Sequence, residues 1–128
     1  MARQSRPIVP DHTVHLLTES EVLADVTFCE FHHGSRGAVH GGAVALIFDE
    51  VLGQISVQGE SKRSRTASLT VDYRALTPMN LPLQLHGRLE RRDGRKVFLK
   101  GTLRSGSQVL AEASALFVTL QPWQETDR

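Results

Sequence analysis

The segment GAVALIFDEVLGQISV, Gly42–Val57, constrains the fold most. Apolar residues fall at 43–48, 51, 52, 55 and 57 and reach nearly every side of a helical wheel. That pattern predicts a helix buried all round rather than on one face. Its length decides against a strand despite the β-branched residues, because strands rarely run so long. One sheet covers roughly half the circumference of such a helix. The rest needs further elements or a second copy of the chain, so the helix by itself implies self-association. The longest unbroken apolar run, Ala43–Phe48, is six residues, far short of the roughly 20 that cross a bilayer.

The flanks set the context. Upstream, HHGSRGAVHGG holds four Gly in eleven residues, too many for regular structure. Before it, Glu21–Phe31 has the β-branched and aromatic content of a strand, and Thr13–Glu19 is read as a short helix or turn. Residues 1–12 and 122–128 are expected to be loose tails. After the helix comes a polar loop, Gln58–Arg65, and then the period changes to two. Thr66, Ser68, Thr70, Asp72 and Arg74 are expected on one face of a strand, with Ala67, Leu69, Val71, Tyr73 and Ala75 on the other. Leu76–Pro82 contains two prolines and ends that strand. Leu83, Leu85, Gly87 and Leu89 begin the next alternation, Asp93-Gly94 marks a hairpin, and Lys96–Arg104 and Gln108–Leu120 complete the series. The fold class is α+β: one strand, one helix, then about four antiparallel strands.

Composition excludes several functions. A chain of 128 residues allows one domain, 1–128. Lys and Arg number 15 against 14 Asp and Glu, which argues against a general nucleic-acid binder. Five Phe, one Tyr and one Trp are too few for stacking platforms. Nothing in residues 1–11 resembles a secretory leader. The reading is a cytoplasmic protein without membrane contact. The single cysteine, Cys29 in VTFCEF, is read as a reduced, small core residue. The six His show no metal-ligand spacing, so no metal is expected.

Two features point to chemistry. Asp49 lies mid-helix among apolar residues, and a buried carboxylate without partners costs several kcal/mol. It is kept either for an ion pair with an Arg from a neighbouring strand or for function. The helix opens with His40-Gly41-Gly42. Its first N–H groups have no internal acceptors and sit at the positive end of the dipole, where they can hold a developing oxyanion. Eight residues separate Gly41 from Asp49, about 12 Å on an ideal helix. One carbonyl reaches both only if the start of the helix bends or if the two residues come from different subunits.

GAVHGGAVALIFDEVLG resembles the helix motif of hotdog-fold acyl-CoA thioesterases of the PaaI type, in the pattern His-Gly-Gly, six residues, acid. TASLTVDYRALTP and DGRKVFLKGTLRS…VLAEASALFVTL are similar to the strands that follow, and the likeness to THEM-type members is close over residues 25–120. The resemblance implies a curved antiparallel sheet of five to six strands wrapped around one central helix. It also implies hydrolysis of an acyl-CoA thioester at a site shared by two protomers of a homodimer, or of a dimer of such dimers. Coenzyme A enters as part of the substrate, and no other cofactor is needed. Asp49 falls on the family's general base or nucleophile. Gly41 falls on the residue whose N–H polarises the carbonyl, and Gly42 lies beside it. His40 would position the loop, and Thr66 would orient water or substrate. Asp72, Arg74, Arg95 and Lys96 fall on positions suited to the CoA moiety. Residues 88–104 carry seven Arg and Lys against two acids, which suits phosphate binding; the plainer account is protection of exposed strand edges. The chain has Gly34 where some relatives have Asn, so a second water-holding donor would come from His33, Arg36 or Thr66. A non-catalytic acyl-CoA binding protein on the same fold is the alternative, and a hydratase fits the motif less well.

Overall fold

The computed structural model describes residues 8–34, 37–58, 63–121 and 123. Strands β1 (Asp11–Leu17) and β2 (Glu21–Thr27) come first, followed by a short 3-10 turn at Glu30–His32. Helix α1 (Gly41–Ser56) is next, then β3 (Ser64–Tyr73), β4 (Leu83–Asp93), β5 (Lys96–Ser105) and β6 (Gln108–Thr119). The six strands form one antiparallel sheet in the order β1-β2-β4-β5-β6-β3. The β4–β5 and β5–β6 hairpins turn through Gly94 and Gly106, whose φ angles of 62° and 60° suit glycine.

Two expectations about the N-terminus fail. Thr13–Glu19 is not a helix or turn; most of it belongs to β1, which pairs with β2 from Asp11↔Thr27 to Leu17↔Val22. The register slips between Val14 and Leu16, and that bulge hides the two-residue period in the sequence. The loose tail therefore does not reach residue 12, because Val9 and Pro10 are buried and the strand starts at Asp11. Residues 1–7 and 124–128 lie outside the described residues. The first expected strand ends at Thr27, and the turn at Glu30–His32 takes the remainder.

Helix α1 lies across the inner face of the sheet. Val44, Ile47, Phe48, Val51, Leu52 and Ile55 are buried at the spacing of one helical stripe. They meet Val22, Val26, Leu83, Leu85, Leu99, Leu103 and Phe117 in the core. The middle row of the inner face runs Val22, Gly87, Gly101, Ala113, Val71 across five strands. Its small central residues form a trough. A Cβ on Gly101 would lie 3.0 Å from the Phe48 ring, and one on Gly87 only 2.5 Å from Leu52 Cδ2. The helix therefore seats itself where the sheet has no side chains.

Among the described residues the helix is not covered on every side. Ala43, Ala45, Leu46, Asp49, Glu50, Gly53 and Gln54 stay partly accessible. Asp49 is therefore half-buried on the flank of the helix rather than enclosed in the core. The basic stretch 88–104 also looks different in the fold. Strands β4 and β5 are central, and the free edges belong to β1 and β3, so edge protection does not account for its charge.

Candidate active site

Helix α1 and edge strand β3 build the site. Thr66 Oγ1 donates to Asp49 Oδ1 at 2.5 Å. The expected strand faces place Thr66 wrongly, with Ser68, Thr70, Asp72 and Arg74. The register shows why: Thr66 faces Phe117 while Ser68 faces Leu116, so Ala67 is an extra residue in β3. This bulge reverses the phase of the strand. Thr66 joins Leu69, Val71 and Tyr73 on the side of the helix, and Ser68, Thr70 and Asp72 face outward. Among the described residues the partner of Asp49 is a hydroxyl, not the Arg that the ion-pair reading requires. Among the described residues its Oδ2 carries no hydrogen bond.

The helix start is braced by side chains and loop. His40 is the N-cap, and its Nδ1 accepts from Gly42 N–H at 2.9 Å. The His40 carbonyl accepts from Ala43 and Val44 N–H, and His40 N–H donates to the His32 carbonyl at 2.6 Å. Gly34 lies so close that a Cβ there would be 2.9 Å from His40 Cα. This is a packing reason for glycine at position 34. Gly42 N–H is thus already used, and Gly41 N–H is the donor at the helix start that keeps no acceptor among the described residues.

Sequence reasoning missed Tyr73. Its hydroxyl donates to the Gly41 carbonyl at 2.6 Å, and its ring lies 3.4 Å from where a Gly41 Cβ would sit. Desolvation pushes its phenol above the ordinary value of 10.0, so it stays a proton donor at working pH. The signal was present: Tyr73 shares the inner-face phase with Leu69 and Val71, but nothing in the sequence said which face meets the helix start.

The remaining candidates are spread out. Asp72 and Arg74 are not brought to Asp49; Asp72 pairs with Glu112 in the outward-facing register, and Arg74 is ion-paired with Glu112 at 2.8 Å. Glu112 accepts that bond and raises the Arg74 guanidinium further. Arg95 donates from Nη1 to the Thr119 carbonyl at 2.9 Å and ties the hairpin to β6. Lys96 faces Val118, and Val118 faces Arg65, so two cations flank one residue on the outer side. His33 lines an apolar hollow of about 310 Å³ beside His40, with Ile8, Phe31, Ala43 and Leu46. Arg36 lies outside the described residues. Cys29 is exposed rather than a core residue; the ring of His32 takes the buried position and accepts from Cys29 N–H at 3.1 Å. Among the described residues no group of three or more His, Cys, Asp or Glu is placed to hold a metal ion, and no helix is long and apolar enough to cross a membrane.

Comparison with solved structures pairs the chain with a crystal structure of a thioesterase superfamily protein at 37% identity and a TM-score of 0.74, covering 84% of this chain and 55% of the other. The chain has the hotdog fold and is similar in sequence to this thioesterase superfamily protein. It is also 36% identical, over 91 residues, to acyl-coenzyme A thioesterase THEM4 from Xenopus laevis, covering 70% of this chain and 40% of that protein. The chain spans about two fifths of the length of the curated relatives it matches. A Streptococcus mutans protein crystallised with acetyl CoA shares the hotdog fold at a TM-score of 0.79 and 15% identity, over 93% of each chain. No family profile matches the chain.

Proposed function

We propose that this hotdog protein is an acyl-CoA thioesterase, releasing a carboxylic acid and coenzyme A. The observation that carries the reading is the half-buried Asp49 carboxylate, held at Oδ1 by Thr66 and open at Oδ2. As a general base, Asp49 takes a proton from water while the water oxygen attacks the thioester carbon. The oxygen that gains charge is held by Gly41 N–H. The C–S bond then breaks and the CoA sulfur leaves with the electron pair. As a nucleophile, Asp49 would itself attack and form an anhydride that water then opens.

Asp49 and Gly41 lie eight residues apart on one regular helix, about 12 Å along its axis, too far for one carbonyl to meet both. The site is therefore shared between two copies of the chain. Edge strand β3 supports this, since it offers ten residues of free hydrogen-bonding edge. It carries Thr66 near its start and Tyr73 at its end. Antiparallel pairing of two β3 strands about their middle sets the Tyr73–Gly41 end of one copy beside the Thr66–Asp49 end of the other.

The deciding experiment measures CoA release from a panel of acyl-CoA thioesters. Turnover supports the reading, and binding without turnover overturns it. Thr66→Val keeps the shape and removes the hydroxyl; kcat is expected to fall about tenfold, in line with loss of one charge-assisted hydrogen bond. The paired cations Arg65 and Lys96 suit CoA phosphates. Replacing both by Ala is expected to raise KM about fivefold for acyl-CoA, with no change for the phosphate-free pantetheine thioester. An equal rise for both substrates would remove these residues from phosphate binding.

A further inference from the structure

The first two helical residues, Gly41 and Gly42, form the softest backbone a chain can make, because neither has a Cβ to restrict φ and ψ. A donor aimed at a reacting carbonyl must be held to within a fraction of an ångström. The pair therefore needs bracing from outside, and two side chains supply it. His40 Nδ1 takes the N–H of the peptide joining Gly41 to Gly42 at 2.9 Å, and Tyr73 Oη donates to the carbonyl of that same peptide at 2.6 Å. The ring atoms of both residues also lie against the glycines, 3.2 Å from a Cβ on Gly42 and 3.4 Å from one on Gly41. One peptide plane is thus pinned at both ends. The plane before it, which carries the Gly41 N–H, shares the Gly41 Cα and is turned by it. The carbonyl end of that plane is held in turn by Ala43 and Val44 N–H.

We propose that Tyr73 is a positioning residue: by holding the Gly41 carbonyl opposite the His40 bond, it aims the Gly41 N–H at the thioester carbonyl. This rests on the thioesterase reading above, with Gly41 as the oxyanion donor. Tyr73 does not act on the substrate; it sets the direction of a donor that does. A purely structural role would only fasten the end of β3 to the helix start.

Tyr73→Phe keeps the ring and removes the hydroxyl, and it tests the proposal through two ligands. One is a dethia ketone analogue, acyl-CoA with methylene in place of the thioester sulfur, which keeps the carbonyl. The other is an S-alkyl CoA thioether, which has none. The expected result is a kcat lower by about tenfold, a fraction of the loss seen when an oxyanion donor is itself removed, with KM within about twofold. The affinity advantage of the ketone over the thioether should fall about fivefold while thioether binding stays constant. Tyr73 is the only tyrosine in the chain, so biosynthetic 3-fluorotyrosine alters this residue alone; it keeps the donor and should keep the wild-type kcat and ketone preference. If the wild type turns over substrate and prefers the ketone, and Tyr73→Phe does both equally well, the role of Tyr73 is overturned while the thioesterase reading stands. A Tyr73→Phe loss of thioether binding equal to its loss of ketone binding also overturns it, in favour of simple fastening. If the wild type neither turns over nor prefers the ketone, the thioesterase reading fails and this inference fails with it.

Discussion

Asp49→Asn is expected to lower CoA release by at least about a thousandfold, with the fold and ligand affinity retained. The substitution keeps size and shape, and the Asn carbonyl can still accept from Thr66 Oγ1, which now meets Asp49 Oδ1 at 2.5 Å. What disappears is the ability to take a proton or to attack a carbonyl. General base catalysis by a positioned side chain contributes about 10²–10⁴ in rate, and loss of a nucleophile costs at least as much. Because Asp49 lies on the accessible flank of α1 and not in the core, the amide leaves no uncompensated buried charge. A single turnover in ¹⁸O-water then separates the two roles in the wild type. A general base puts ¹⁸O into the acid released in the first turnover. In the anhydride route, water attacking the Asp49 carbonyl carbon leaves ¹⁸O in the enzyme, and the first acid released is unlabelled. Unchanged turnover by Asp49→Asn would remove Asp49 from the mechanism.

Gly87→Val is expected to give the largest loss of stability. A Cβ there would lie 2.5 Å from Leu52 Cδ2 and 2.8 Å from Val22 Cγ1, both fully buried. The side chains it meets have no free volume to retreat into, since Phe48, Ile55 and Leu85 close the same space. Overpacking of this kind costs about 1–3 kcal/mol, and the two further methyl groups of Val place this change at the upper end. For a chain of this size that lowers Tm by about 10 °C. The β-branched side chain favours a strand locally, so any gain in propensity acts against the prediction. Arg88→Ala, one residue along the same strand and pointing outward, is the control and should stay within about 0.5 kcal/mol. Equal Tm values for the two variants would show that the helix does not sit in the glycine trough.

Residues that repeat a period were legible, and residues that depend on a break in period were not. The helix was readable from Gly42–Val57 because sixteen residues carry a near-continuous apolar signal, and the structure moves its bounds by one residue. The two late hairpins were readable because Gly94 and Gly106 stand where positive φ is needed. β1 was not, because its bulge near His15 interrupts the alternation within a seven-residue strand. Asp49, Gly41 and His40 could be picked from sequence as a mid-helix acid and a helix start. The companionship of Thr66 with Asp49 could only be guessed from resemblance, because the alternation in β3 argued for the wrong face. Tyr73 was invisible for a different reason: its hydrogen bond to Gly41 joins positions 32 residues apart, and no local pattern encodes such a meeting.

The bulge at Ala67 has a consequence for how change can reach this site. Thr66 meets Asp49 only because one surplus residue stands between it and Ser68 in the ladder with β6. Deleting Ala67 alters no side chain of the site, yet it restores strict alternation and turns the residue at position 66 toward the outer face. The hydroxyl's place beside the carboxylate is thus stored in a count of residues, not in their kinds. Substitution at Ala67 can leave that count intact, whereas a single-codon deletion erases it.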